Sequence, residues 1–465
     1  MLLNHLQILR APESGEPLEP ALPIATKGQR FGFTGVLNTS GREFPVIGGI
    51  VVLRQDLITD KVIAAARNGS TRRALFEAIA IERRSRRAAL DLICRLRFPK
   101  TLQRDGSPFG TITGPAGVYF RFRYAVPNVP AIIGVLSCLK RSGSERGYVL
   151  DVGCGFAHFY RYYLRSYAPE KIVLLDQSLE ALATASRFVD RRTLFICSDA
   201  QSPLPFATNV FTDITSFNAF QYLENKDQFV RSATSALDGA GGTLWLTNNW
   251  NPQLTDQFFG PARPPSEWQA FCDSEKWRIF PEIHFVDPVL RGGLVNLAVQ
   301  YKPQDHHRGW RGVTLAYSNA SWAKHNKFVP LNRAPKWSDL QFNSVYYRSA
   351  FRNRLIKRTA NIKFWDAHKD YYGFELPTKV DVPGKMNRRT GRGLEALAEK
   401  LIMIESIGPR SRAVFAETFS SFLARIRNWV GPLVYDCRFA RSVKPLLPHS
   451  LKVTAKRLLD LQRTL

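Results

Sequence analysis

The chain has 465 residues, 45% hydrophobic and 22% charged, an ordinary globular usage that argues against wholesale disorder. No apolar run approaches the ~18 residues of a membrane span, residues 1–10 lack a signal-peptide core, and the six cysteines form no Cys-x-x-Cys pair. The net charge is +26, and residues 304–465 alone carry 30 Lys and Arg against 12 Asp and Glu.

Residues 1–55 read as a small β-rich unit punctuated by Gly and Pro. Phe44, Val46 and Ile47 lead through Gly48-Gly49 into the apolar run 50–53. Residues 56–114 read as a helical linker. Leu75, Ile79, Leu90, Ile93 and Leu96 recur near helical spacing, beside a solvated face of Arg83, Arg84, Arg86 and Arg87.

Residues 115–303 alternate strands and helices. Strands are predicted at 148–152, 171–176, 193–197, 211–216 and 243–247, with 294–301 as a last, antiparallel strand. This alternation argues for the α/β class and a doubly wound parallel sheet covered by helices on both faces. Residues 304–465 begin aromatic-rich and irregular. They end in basic amphipathic patterns at 413–430 and 450–463. Such helices can lie in the headgroup plane of an anionic bilayer, pack on the chain's own core or contact nucleic acid.

The segment Val149-Leu150-Asp151-Val152-Gly153-Cys154-Gly155 carries the strongest chemical signal. An apolar strand ends in an acidic residue and enters a Gly-x-Gly turn. Glycines there let backbone approach a ligand closely. A dinucleotide fingerprint wants a third glycine where this chain has His158, and the strand's acidic residue would repel a pyrophosphate. An ammonium-bearing ligand suits it better. Asp176 ends the second strand, where a carboxylate can accept both hydroxyls of a ribose. Asp199 follows the third strand, where a carboxylate can accept from an exocyclic amine.

With VLDVGCGFAHF, IVLLDQS, SDAQSPLPF, DITSFNAFQYL and LDGAGGTLWLT in place, the chain resembles the class I S-adenosylmethionine-dependent methyltransferases. Its nearest likeness is to the ubiquinone/menaquinone-type branch. The resemblance implies a seven-stranded Rossmann-like sheet and S-adenosylmethionine as cofactor. It implies that Asp151, Gly153 and Gly155 surround the methionyl part, Asp176 and Gln177 the ribose, Asp199 and Ala200 the adenine, and Asn218 the sulfonium end. Two residues depart from the pattern. Ala157 stands for the third glycine, and Thr212 separates Phe211 from Asp213.

The first 55 residues also resemble the zinc-knuckle activator partners of tRNA and translation-factor methyltransferases, through Leu9 to Leu18 and Phe44 to Ile50. The two metal pairs would fall at Ala11/Ser14 and Leu37/Ser40, none of them a zinc ligand, so no metal is expected.

Methyl transfer to oxygen usually needs a base of near-neutral pKa. His158 is the first candidate, and Tyr222 and His284 are alternatives. His306-His307 lacks metal-ligand spacing and reads as surface. The Asn/Asp-Pro-Pro-Tyr signature of many amino-group methylators is absent after the fourth strand. The expected acceptor is a small molecule, a glycan or a lipid-linked compound. RNA methylation, or a non-catalytic RNA- or membrane-binding adaptor, is the alternative. The expected location is cytoplasmic, with peripheral contact at the inner face of an anionic membrane as an extension of that reading. Oligomeric state has no sequence signal.

Overall fold

The computed structural model describes residues 3–21, 33–97, 128–139, 147–252 except 158 and 188, 274–285, 294–301 and 312–320, with shorter pieces between 261 and 405. The predicted tail helices at 413–430 and 450–463 lie outside the described residues.

Eleven strands form one mixed sheet. In chain order they are β1 (Glu19–Pro20), β2 (Gly35–Asn38), β3 (Glu43–Ile47), β4 (Ile50–Val52), β5 (Tyr148–Val152), β6 (Ile172–Asp176), β7 (Leu194–Cys197), β8 (Phe211–Phe217), β9 (Thr243–Trp250), β10 (Trp277–Pro281) and, after β11 (Leu294–Asn296), β12 (Gly312–Ser318). Their spatial order is β1-β2-β3-β4-β7-β6-β5-β8-β9-β12-β10. From β4 to β9 all neighbours are parallel. β12 runs antiparallel between β9 and β10.

Two expectations need correction. Seven strands, β5 to β10 with β12, are extended to eleven by the four N-terminal ones, because β4 pairs parallel with β7, Ile50 opposite Phe195 and Val52 opposite Cys197. The N-terminal strands therefore extend the central sheet instead of standing beside it. Leu9, Leu37, Phe44 and Val46 share one apolar cluster with Leu175, Leu194 and Ile196. The closing antiparallel strand is Gly312–Ser318, past residue 303, while β11 pairs with β13 (Phe328–Pro330) in a separate small sheet. Both runs are short and apolar. The choice falls to pairing with β10, a non-local contact that no local pattern announces.

The β3–β4 hairpin turns at Gly48 (φ 61°) and Gly49 (φ 89°). A two-residue turn of this type needs positive φ at both positions, which glycine adopts without a Cβ penalty. The predicted linker helix is three helices after the short α1 (Leu3–Leu6): α2 (Asp60–Arg67), α3 (Thr71–Glu82) and α4 (Arg86–Arg97). Along α4 the core face is Ala89, Leu92 and Leu96, whereas Leu90 is 55% exposed. The arginine face is only partly solvated: Arg83 pairs with Glu180, and Arg86 lies 4.7 Å over the Phe76 ring.

At the N-terminal positions compared with metal pairs, Ala11 and Leu37 are buried, and Ser14 and Ser40 donate to the Glu16 carboxylate at 3.4 and 2.7 Å. Among the described residues no group of three or more His, Cys, Asp or Glu could hold a metal. No helix among them is long and apolar enough to cross a membrane.

Candidate cofactor site

The parallel strands β7, β6, β5 and β8 lie side by side and end on one rim. Every candidate cofactor residue falls there. Asp151, on β5, is 2% exposed. Thr215 Oγ1 lies 3.5 Å from its carboxylate and 2.5 Å from the Tyr163 hydroxyl. Burial pushes the Asp151 carboxyl up to about 7; the Tyr163 and Thr215 hydroxyls oppose the shift, and the charge of Asp176 adds to it.

The turn after β5 has positive φ at Gly153 (72°), Gly155 (53°) and Ala157 (56°). A Cβ on Gly153 would also collide with the side chain of Ala219. Gly153 is thus needed for the close packing of the β5 and β8 loops as well as for its dihedral. Ala157 adopts the conformation that a third glycine would take, at a cost of roughly 1–2 kcal/mol for a residue with a Cβ.

Asp176 ends β6. Its Oδ2 accepts from the Gly155 amide at 2.7 Å and its Oδ1 from the Ser178 amide at 2.8 Å. Burial raises its pKa, against the pull of those two amides and of Arg54. A carboxylate offers about four acceptor sites, so the two amides leave capacity for ligand hydroxyls. Asp199, after β7, accepts from the Gln201 amide at 2.9 Å in an Asx turn, with half-buried Ala200 next to it. Gln177 is exposed. Asn218, past β8, is buried at φ 56°, and its amide donates to Thr247 O at 3.0 Å.

The candidate bases fare differently. His158, His306 and His307 lie outside the described residues. Tyr222 sits on the turn Phe220–Tyr222 after β8, 49% exposed. His284 follows β10 rather than the cofactor strands. Its ring nitrogens lie 3.1 Å from Tyr301 Oη and 2.9 Å from Asn296 O, and burial lowers its pKa. It ties the segment after β10 to that around β11.

Two residues at or beside this rim, Glu82 and Arg54, have no sequence signal. Glu82, at the end of α3, accepts from the Leu179 and Glu180 amides, each at 3.0 Å. It thereby caps helix α7 (Leu179–Ala185), which follows α5 (Asn128–Cys138) and α6 (Tyr160–Tyr163). Arg54 donates to Gln177 O at 2.9 Å and pairs with Asp56 and Glu82. The N-terminal strands and helices thus grip the loop that carries Asp176. Fully buried Asp213 accepts from Tyr167 and Thr243 hydroxyls, a structural knot beneath the rim.

The rim carries carboxylates at three successive strand ends, Asp151, Asp176 and Asp199. That set of acceptors fits a ligand bearing an ammonium group, a diol and an exocyclic amine, and it disfavours a pyrophosphate. Fold and rim together define an α/β domain whose parallel strand ends carry three carboxylates around a glycine turn. Residues 150–245 match the family described as "Methyltransferase domain". The chain is 31% identical over 100 residues to the malonyl-[acyl-carrier protein] O-methyltransferase of Bacteroides fragilis (strain 638R), covering 21% of this chain and 20% of that one. It is 23% identical over 195 residues to the chloroplastic 2-methyl-6-phytyl-1,4-hydroquinone methyltransferase 2 of Oryza sativa subsp. japonica, covering 41% and 52%. The chain thus spans about half or less of the length of these curated relatives. Among solved structures it is similar to geranyl diphosphate C-methyltransferase from Streptomyces coelicolor A3(2), at 15% identity and a TM-score of 0.31, covering 41% of this chain and 76% of that one.

Proposed function

We propose that the chain is an S-adenosylmethionine-dependent methyltransferase acting on a small-molecule, glycan or lipid-linked acceptor. The observation that carries this reading is the placement of Asp151, Asp176 and Asp199 on adjacent parallel strand ends around the Gly153–Gly155 turn. When bound, the cofactor supplies an electrophilic methyl group on a sulfonium with a good leaving group. The chain's own task is to position, desolvate and neutralise. Asp151 faces the cofactor's ammonium, Asp176 with neighbouring Gln177 its ribose, and Asp199 with Ala200 its adenine. Gly153 and Gly155 give the backbone access to the methionyl part. Asn218 borders the reacting end, where Tyr222, 49% exposed, is a candidate to take a proton from an acceptor hydroxyl; His158 is a second candidate from its sequence position alone, after the glycine turn. The N-terminal unit, joined strand to strand through β4 and β7, acts as a built-in activator. The basic C-terminal third suits the inner face of an anionic membrane, where each Lys or Arg contributes ~1 kcal/mol.

Calorimetric titration with S-adenosylhomocysteine tests the cofactor assignment. Charged hydrogen bonds are worth ~1.5–3 kcal/mol, so Asp176→Ala should weaken binding at least about tenfold, and wild-type protein that binds nothing would refute the reading. Tritiated methyl transfer onto extracted RNA, lipid and glycan fractions identifies the acceptor class. Label entering the RNA alone would replace the small-molecule reading.

A further inference from the structure

The rim continues past the cofactor strands, and its far half holds polar groups that the fold leaves without partners. In the order β8-β9-β12-β10 it carries Asn218, Thr247 with Asn248, Thr314, and Glu282. Thr247 Oγ1, both amide atoms of Asn248, Asn249 Oδ1, Thr314 Oγ1 and Glu282 Oε1 are buried without a hydrogen-bond partner. More than nine in ten buried polar groups in folded proteins have one. Six orphan atoms on three neighbouring strands therefore point to something that completes them.

Glu282 is the most costly of these groups. It is 4% exposed, directly after β10, and its amide donates to Gly312 O at 3.1 Å. Its carboxyl group lies where a side chain on residue 312 would be, 2.5–2.7 Å from the position of an added Cβ. Gly312 is therefore what gives the carboxyl its place against the sheet. Thr314 lies two residues along the same strand and so on the same face. Trp250 is the cross-strand partner of Gly312. The register of β9 against β12 shifts between Val313 and Leu315, and Asn248, at φ 63°, is the extra residue of that bulge. Bulges of this kind re-aim side chains next to functional sites. Arg278, on the same face of β10, donates to the carbonyls of Glu275 and Trp277 at the other end of the strand.

We propose that Glu282, with Thr247, Asn248 and Thr314, binds the methyl acceptor, and that the part of the acceptor it binds is an uncharged polyhydroxylated group. The inference rests on the methyltransferase reading and specifies its acceptor. Hydroxyl groups both donate and accept, as do the threonines and the carboxamide, so they can satisfy every orphan atom. They do so with Glu282 in either protonation state; burial alone pushes its carboxyl up to about 8. A cation would be held only by the ionised form, and an anion would be repelled by it. At ~4.8 Å per strand, the carboxyl under β12 stands roughly 10 Å from β8, the reach of a small molecule from the Asn218 end.

The test uses full-length wild type, Glu282→Gln and Glu282→Leu. Melting temperature is measured alone and with methyl α-glucopyranoside, myo-inositol, choline or acetate at millimolar concentration, and S-adenosylhomocysteine affinity is measured by calorimetry. The expected result is that both variants bind S-adenosylhomocysteine within twofold of wild type. Glu282→Leu should melt at or above wild type when unliganded, and the two polyols should stabilise wild type but not the leucine variant. If both variants melt well below wild type, Glu282 is a structural group and the inference fails. Stabilisation by choline or acetate instead of the polyols, or none by any probe, also overturns it. If wild type fails to bind S-adenosylhomocysteine, the methyltransferase reading itself has failed.

Discussion

At the scale of single residues, Asp151 is the group whose ionisation the site controls. Its folded-state pKa of about 7 lies above the ordinary 3.8, chiefly through burial. The folded protein therefore holds an extra proton between those values, and its stability falls as pH rises through that window. Pairing with an ammonium requires the ionised form. Affinity for S-adenosylhomocysteine should accordingly rise between pH 6 and about 7.5, by up to roughly tenfold per unit at the acid end. Asp151→Asn should flatten that dependence and weaken binding at pH 7.5; calorimetry across the range checks both. The Val-Leu-Asp-Val-Gly-Cys-Gly string made this residue legible, because strand, acid and glycine turn are contiguous. The orphan state of Glu282 was not legible. It depends on Gly312, thirty residues away in sequence and adjacent only through strand pairing.

At the scale of elements, α7 is held by a cap from outside its own segment. Ser178 supplies the local one, accepting from the Ala181 amide at 3.2 Å. Glu82 supplies the second, from 97 residues away, and takes two further amides. Losing a helix cap costs ~0.5–2 kcal/mol, and Glu82 is only 10% exposed, so solvent screens it little. Glu82→Ala should lower the unfolding free energy by about 1–2 kcal/mol, read as a lower denaturation midpoint at an unchanged slope. It should also weaken S-adenosylhomocysteine binding several-fold, since α7 follows the loop of Asp176. Glu82→Gln should recover part of both, because the amide oxygen still accepts one bond. The boundaries of β5 to β9 were close to legible, because buried parallel strands read as short apolar runs between turn signals. The helix breaks within 60–97 and the strand at 312–318 were not, because packing and pairing set them.

At the scale of the whole molecule, the N-terminal strands protect what would otherwise be an open sheet edge. β7 has β6 on one side and β4 on the other. Deleting residues 1–55 would expose the backbone of β7 and the apolar cluster of Leu194 and Ile196, a template for aggregation. The truncated protein should be recovered as aggregate by size-exclusion chromatography. Val51→Pro, which keeps the chain length and removes one ladder donor from a strand paired on both sides, should cost about 1–3 kcal/mol; a stable, monodisperse truncation would show that the edge needs no cover.

The sequence by itself determined the α/β alternation, the glycine turn, the acids at three strand ends and the basic C-terminal third. Each is a local pattern, set by neighbours a few residues apart and readable from period, turn chemistry and charge. Only the tertiary structure decided that the N-terminal unit continues the central sheet and that Arg54 and Glu82 grip the segment that follows Asp176. It alone placed Gly312–Ser318 as the closing strand and left Glu282 with an unmet hydrogen bond. Those features depend on which distant segments come into contact. Contact of that kind is fixed by the burial of whole faces and the pairing of strands, neither of which any short stretch of sequence contains.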